Sequence, residues 1–184
     1  MNKFIAMVAI ASIASVSLTS CGSSSASETK PVPKVDSTIS VNVNETLIKT
    51  WEKDSTVNDM GEKNIFYTLD ATEKIHLDFP YQGGSTGSLI VRNKNGKLGA
   101  MFVIDNGQID TDYDGTYVRV KFDDEAPVKW SMGETADGSS DVLFFNNESK
   151  LVNKLKSSKK VVVEVPFFQN GNKQFVFNTS GLPM

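Results

Sequence analysis

Tyr117-Val118-Arg119-Val120-Lys121-Phe122 and, after a short break, Val128-Lys129-Trp130-Ser131-Met132 alternate apolar and polar side chains. A period of two is the mark of a strand with one face in a core and the other in water. Val118, Val120 and Phe122 are expected inside and Tyr117, Arg119 and Lys121 outside. Val128, Trp130 and Met132 oppose Lys129 and Ser131 in the same way. Upstream, Ile75, Leu77 and Phe79 repeat the pattern against His76 and Asp78.

Further segments are more continuously apolar, which predicts central strands: Ile65 to Leu69, Leu89 to Val91, Leu98 to Ile104, Val142 to Phe145, Val161 to Val165 and Phe175 to Phe177. Turn signals separate them at Gln82-Gly83-Gly84, Asn93-Lys94-Asn95-Gly96, Asn106-Gly107, Asp114-Gly115, Asp137-Gly138 and Asn170-Gly171. One stretch has a different period. Between Glu148 and Ser157, Leu151, Val152 and Leu155 fall at helical spacing, Asn147 is placed to cap the start, and Lys150, Lys154 and Lys156 line the polar side. About nine short strands and one short helix predict an all-β chain, an antiparallel β-sandwich around one core with the helix plugging an end or edge. No strand-helix alternation supports a nucleotide-binding α/β fold.

The N-terminus follows another logic. Leu18-Thr19-Ser20-Cys21 resembles the lipobox of bacterial lipoprotein signal peptides, in which cleavage after Ser20 leaves Cys21 as the lipid-bearing first residue. Lys3 and the mostly apolar run from Phe4 to Leu18 precede it in the order of a secretory signal. As a helix that run reaches only about 22 Å, short of the roughly 30 Å hydrocarbon core, so a membrane span is not expected. Residues 21–45, rich in Ser, Thr, Pro and Lys, read as the lipidated cysteine and a flexible linker, because they cannot bury enough apolar surface to offset the entropy of ordering. The expected organisation is thus signal peptide 1–20, linker 21–45 and β-sandwich 46–184. Gly22 is compatible with sorting to the outer membrane, facing the periplasm, in a host with two membranes.

Lys and Arg number 19 against 22 Asp and Glu, and loss of Lys3 with the signal makes the mature chain more acidic still. The sequence shows no lysine cluster of the kind that neutralises phosphates, which argues against nucleic acid and against electrostatic membrane binding. Cys21 is the single cysteine. Once acylated it leaves no thiol for a disulfide, a nucleophile or a thiolate metal site.

Three local patterns carry candidate chemistry. Asp110-Thr111-Asp112-Tyr113-Asp114-Gly115 has the D-x-D-x-D-G form of calcium loops, with Asp110, Asp112 and Asp114 as ligands. Lys121 occupies the twelfth position, where a bidentate Glu belongs, so Asp123, Asp124 or Glu125 would have to complete the site. The alternative is a solvated hairpin tip. Gly83-Gly84-Ser85-Thr86-Gly87 matches the nucleophile elbow of α/β-hydrolases, but a strand rather than a helix follows. A Ser85 triad would also need His76, the only histidine, which alternation puts on a wet face. The acidic stretches Asp123-Asp124 and Asp137 to Asp141 offer paired carboxylates, with nothing in the sequence to set their separation. Aromatic residues beside turns, among them Trp51, Tyr81, Tyr117 and Phe168, are candidates for a binding rim or for core packing.

Trp51, Phe79-Pro80-Tyr81-Gln82-Gly83-Gly84, Gly107-Gln108, Val118 to Asp123, Asp137-Gly138-Ser139-Ser140 and the terminal Phe177 with Gly181-Leu182 together resemble a group of uncharacterised lipoproteins of bacteria and their phages. More distantly they are similar to small periplasmic accessory proteins of type VI secretion. The resemblance implies a non-catalytic envelope domain. Together with the lipobox, the expected reading is a lipid-anchored module that binds an envelope protein or wall component, with no cofactor expected. It transfers no established site. Tyr81, Arg119, Asp123, Asp137, Ser139 and Ser140 are the expected binding positions, with a calcium-dependent module and an envelope hydrolase as alternatives.

Overall fold

The computed structural model describes residues 49–184 apart from Tyr113. The signal peptide, Cys21, the linker and positions 46–48 lie outside the described residues. The elements in chain order are β1 (Glu52–Val57), β2 (Lys63–Asp70), β3 (Ile75–Leu77), β4 (Gly83–Ser85), β5 (Gly87–Lys94), β6 (Lys97–Ile104), β7 (Tyr117–Phe122), β8 (Val128–Glu134), β9 (Val142–Phe145), α1 (Glu148–Ser157), β10 (Lys160–Phe167) and β11 (Gly171–Asn178). All strand pairs are antiparallel, and the chain is all-β with one short helix, as the alternation predicts.

Nine strands form one sheet in the order β1-β2-β5-β6-β9-β8-β7-β10-β11, and β3 and β4 form a separate pair. The long sheet turns back on itself, so the fold is sandwich-like. Phe102 of β6 packs on Phe175 and Phe177 of β11, with ring centroids 5.1 and 6.4 Å apart. Beyond β2, Thr72 N–H donates to Val176 O of β11 at 2.8 Å, and Trp51 Nε1 donates to Thr179 O at 3.0 Å. Phe102, Phe145, Phe175 and Phe177 are fully buried between the layers, each contributing about 1.5–3 kcal/mol through burial. Gly87 lets the layers close, because a Cβ there would lie 2.5 Å from the Phe175 ring.

Two strands escape the sequence pattern. β1, Glu-Lys-Asp-Ser-Thr-Val, buries none of its residues and has no apolar period. It is held by its hairpin to β2, where Asn58 Oδ1 accepts the N–H groups of Met60 and Glu62. β4 forms where Gln82-Gly83-Gly84 predicts a turn, pairing Gly83 with Leu77 and Ser85 with Ile75. Three expectations about facing are also corrected. Phe79 does not continue the Ile75 and Leu77 face: the chain turns at Asp78 to Tyr81 and leaves Phe79 74% exposed. Val128, at the open start of β8, is exposed. β11 is an edge strand, apolar because one face meets the core rather than because it is central.

The helix occupies Glu148–Ser157 as its period predicts, burying Leu151, Val152 and Leu155 beside β6. Asn147 does not cap it through its side chain. It sits at φ 60°, a left-handed turn rather than the extended cap geometry, and its backbone oxygen accepts from Leu151 N–H.

Candidate binding surface

The expected binding residues are spread over the body and engaged in holding it together. The Tyr81 hydroxyl donates to Gln108 Oε1 at 2.6 Å, and next to it Ile109 N–H donates to Ser140 O at 2.8 Å. Tyr81 and the Asp137-to-Ser140 loop therefore meet at one end. Within that loop Asp137 Oδ1 accepts from Ser139 N–H, Ser139 Oγ donates to Asp141, and Thr135 Oγ1 donates to Ser139 O. The adjoining Thr135 hydroxyl, then the Ser139 N–H, holds the Asp137 carboxyl below its ordinary range.

Asp123 lies past the far end of β7, at φ 45°. Its Oδ1 accepts the N–H groups of Lys159 and Lys160 at 2.9 and 2.8 Å and so ties the end of β7 to the start of β10. Arg119 sits mid-strand and donates to Glu164 Oε1 at 2.9 Å, while Gln174 Nε2 donates to Glu164 Oε2 at 2.7 Å. These six positions do not form one site.

The alternative chemistries fare similarly. Asp110, Asp112 and Asp114 are exposed, and Asp112 O accepts from Gly115 N–H in a turn of its own. Among the described residues no group of three acidic, His or Cys side chains is close enough to hold a metal ion. Asp123, Asp124 and Glu125 follow β7 and Asp114 precedes it, so the six-residue strand, about 20 Å long, separates them. The three aspartates and the residues expected to complete their site therefore lie at opposite ends of β7. Ser85 is buried with its Oγ bonded to Asn106 O at 2.6 Å. His76 is exposed beside Asp78, and since Ser85 pairs with Ile75, the neighbour of His76, the two side chains point to opposite faces. They do not make a nucleophile and base.

A different constellation does converge. β7 and β8 pair with Tyr117 opposite Ser131 and Arg119 opposite Lys129, so all four lie on one outer face. Lys129 Nζ stands 3.7 Å from the centroid of the Tyr117 ring, a cation–π contact. Beside this pair an open groove of about 430 Å³ runs between β8 and α1. Its inner wall is Trp130, fixed by Nε1 donating to Asn146 O at 2.6 Å, and Phe122. Lys150 Nζ lies 5.3 Å from the Trp130 ring and Lys154 Nζ lies 5.6 Å from that of Phe122. Lys154 is also paired with Glu125 at 2.7 Å, the one carboxylate among the described residues that line the groove. Three lysines, each stationed at an aromatic ring, thus rim one groove with a net positive lining.

On the other side of the Tyr117–Lys129 pair lies a second open cleft of about 520 Å³, lined by Asp110, Asp112, Thr116 and Pro166. Of the residues around this second cleft, the sequence pattern points to Tyr117 and the two aspartates. The lysines come from two distant segments; the four-residue spacing of Lys150 and Lys154 on one helix was the only local signal.

The molecule is thus an antiparallel β-sandwich-like domain with an amphiphilic groove under its helix. No protein family, no curated protein and no solved structure matches this chain, so the likeness to envelope lipoproteins stands on the quoted motifs alone.

Proposed function

We propose a lipid-anchored protein of the cell envelope that acts as a non-catalytic binding module, taking an anionic part of an envelope protein or wall component in the groove between α1 and β8. Lys150 beside Trp130 and Lys154 beside Phe122, with Lys129 over the Tyr117 ring at the rim, support the binding half. Ammonium groups on an apolar floor suit a ligand with both an anionic group and an apolar body, and lysine's compact charge does not demand the bidentate geometry that arginine does. The anchoring half is supported by Leu18-Thr19-Ser20-Cys21, whose two or three acyl chains, at about 0.8 kcal/mol per buried CH₂, would hold the protein to a leaflet.

Each half has its test. Radiolabelled palmitate is expected in the parent chain and absent from Cys21→Ala; labelling of both, or of neither, rejects the anchor. Crosslinking on whole cells is expected to capture a neighbour that Lys129→Glu combined with Lys150→Glu releases, with melting behaviour unchanged. Retention of the neighbour by that double variant rejects the groove.

A further inference from the structure

The groove between α1 and β8 does not end at β8. That strand pairs with β9 only from Met132 onward, so its edge from Val128 to Ser131 is open, and Lys129 and Ser131, which line the groove, belong to the outer face of the sheet. A cleft of about 360 Å³ adjoins the groove there, sharing Tyr117 and Lys129 with it and adding Arg119, Glu164 and Asn172. A further cleft of about 300 Å³ shares Arg119, Pro127 and Glu164 with that one and adds Lys121 and Gln174. The three hollows form one track that crosses β8, β7 and β10 and reaches β11. Lys129, Arg119, Glu164 and Gln174 stand in register along it, so three strand spacings of about 4.8 Å carry the track about 14 Å beyond the groove.

We propose that the track takes an acidic polysaccharide, a linear chain of sugars carrying carboxylates, a proposal that rests on the groove binding anions. Charge supports it first. Lys121, Lys129, Lys150, Lys154 and Arg119 line the track against Glu125 and Glu164, five cations to two carboxylates, in a chain whose formal net charge is −3. A band opposite in sign to the whole molecule draws a polyanion to one place on it. Glu164 engages Nη1 of Arg119, whose side chain is 59% exposed, and the other N–H donors of the guanidinium are open to a carboxylate.

The neutral residues support it next. Each hollow sets a side-chain amide beside its cations: Asn146 and Asn147 in the groove, Asn172 in the middle cleft, Gln174 in the last. An amide both donates and accepts, as a hydroxyl does, so cation and amide repeated along a line match a ligand that repeats carboxylate and hydroxyl. Gln174 uses its Nε2 on Glu164 and Asn146 its Nδ2 on Ser131, which leaves their amide oxygens as acceptors. Apolar contact for the C–H faces of the sugars comes from Val128 and Trp130 in the groove and from Pro127 in both outer clefts. The bases of a single-stranded nucleic acid need bare aromatic faces to stack on, whereas Tyr117, the aromatic residue of the middle cleft, already carries Lys129 over its ring.

The test is calorimetric titration of the full chain, in non-ionic detergent, with linear oligomers of galacturonic acid two and six sugars long, and with maltohexaose as the neutral control. The acidic hexamer is expected to bind about tenfold tighter than the dimer, and maltohexaose to give no heat. Lys121→Glu, at the far end of the track, should weaken the hexamer about tenfold and leave the dimer unchanged, with Lys121→Gln in between. Lys150→Glu should weaken both, and circular dichroism of each variant should match the parent. Equal affinity for dimer and hexamer, or a hexamer indifferent to both Lys121 variants, overturns the track and leaves the groove standing. Maltohexaose, hexathymidylate or hexaglutamate binding as tightly as the acidic hexamer overturns the polysaccharide. No heat from any probe overturns the proposal as well, while the groove itself falls only if the crosslinked neighbour stays with the Lys129→Glu, Lys150→Glu double variant.

Discussion

The two halves of the long sheet share one core and present opposite outer faces. Across β8, β7, β10 and β11 the outer row reads Lys129, Arg119, Glu164, Gln174, with Glu164 bonded to both of its neighbours. Across β2, β5, β6 and β9 it reads Thr68, Ile90, Met101, Phe144. The first row is finished: Glu164 satisfies Arg119 and Gln174, Lys129 lies over the Tyr117 ring, and the row faces water. The second is unfinished, because apolar side chains in water forgo the burial that stabilises their counterparts inside. Strand alternation sets which face a residue takes, but only the company of that face decides whether it is a surface or an interface.

Breaking the shared core should have the largest effect. Phe102 joins the halves through Phe175 and Phe177, so Phe102→Ala is expected to cost about 3–5 kcal/mol in chemical denaturation. A smaller value would mean that the halves do not depend on each other. The finished row comes next. Glu164 has a side chain only 14% exposed and serves three strands, so Glu164→Ala should cost about 1–3 kcal/mol. Thr68→Ala, at the corresponding row of the other half, should stay within about 0.5 kcal/mol. Equal costs would erase the contrast between the faces.

The smallest effect concerns acid. Hydrogen bonds from the Lys94 and Asn58 side chains lower the Glu62 carboxyl as Thr135 and Ser139 lower that of Asp137. A carboxyl held lower in the folded state than in the unfolded chain stabilises the fold above its unfolded pKa, and that stability is lost as pH falls through the folded value. Glu62→Gln combined with Asp137→Asn should therefore narrow the difference in melting temperature between pH 7 and pH 3. An unchanged difference would show that these exposed groups carry no acid sensitivity.

Much of the fold was legible because its strands advertise themselves. Val118-Arg119-Val120-Lys121-Phe122 alternates, Asn95-Gly96 supplies the two positive φ angles of a tight hairpin, and Leu151, Val152 and Leu155 mark the helix face. β1 was not legible, since hairpin hydrogen bonds rather than burial hold it, and β4 was not, since glycines read as a turn. The candidate site was less legible still. Arg119, Asp123 and Tyr81 are polar residues in conspicuous places, and each turns out to brace the fold. Lys129 and Lys150 are inconspicuous in sequence and meet only because β8 and α1 pack beside each other.

Local chemistry alone determined that this chain makes antiparallel strands with one short helix, because side-chain period and turn residues act over a few positions. It also sets the expected signal and lipidation at Cys21, which depend on a linear motif. Tertiary structure alone decided that one nine-stranded sheet turns back on itself, that distant lysines rim one groove, and that an apolar face is left outward. Those outcomes depend on which strands become neighbours, and pairing between distant segments leaves no periodic trace in either of them.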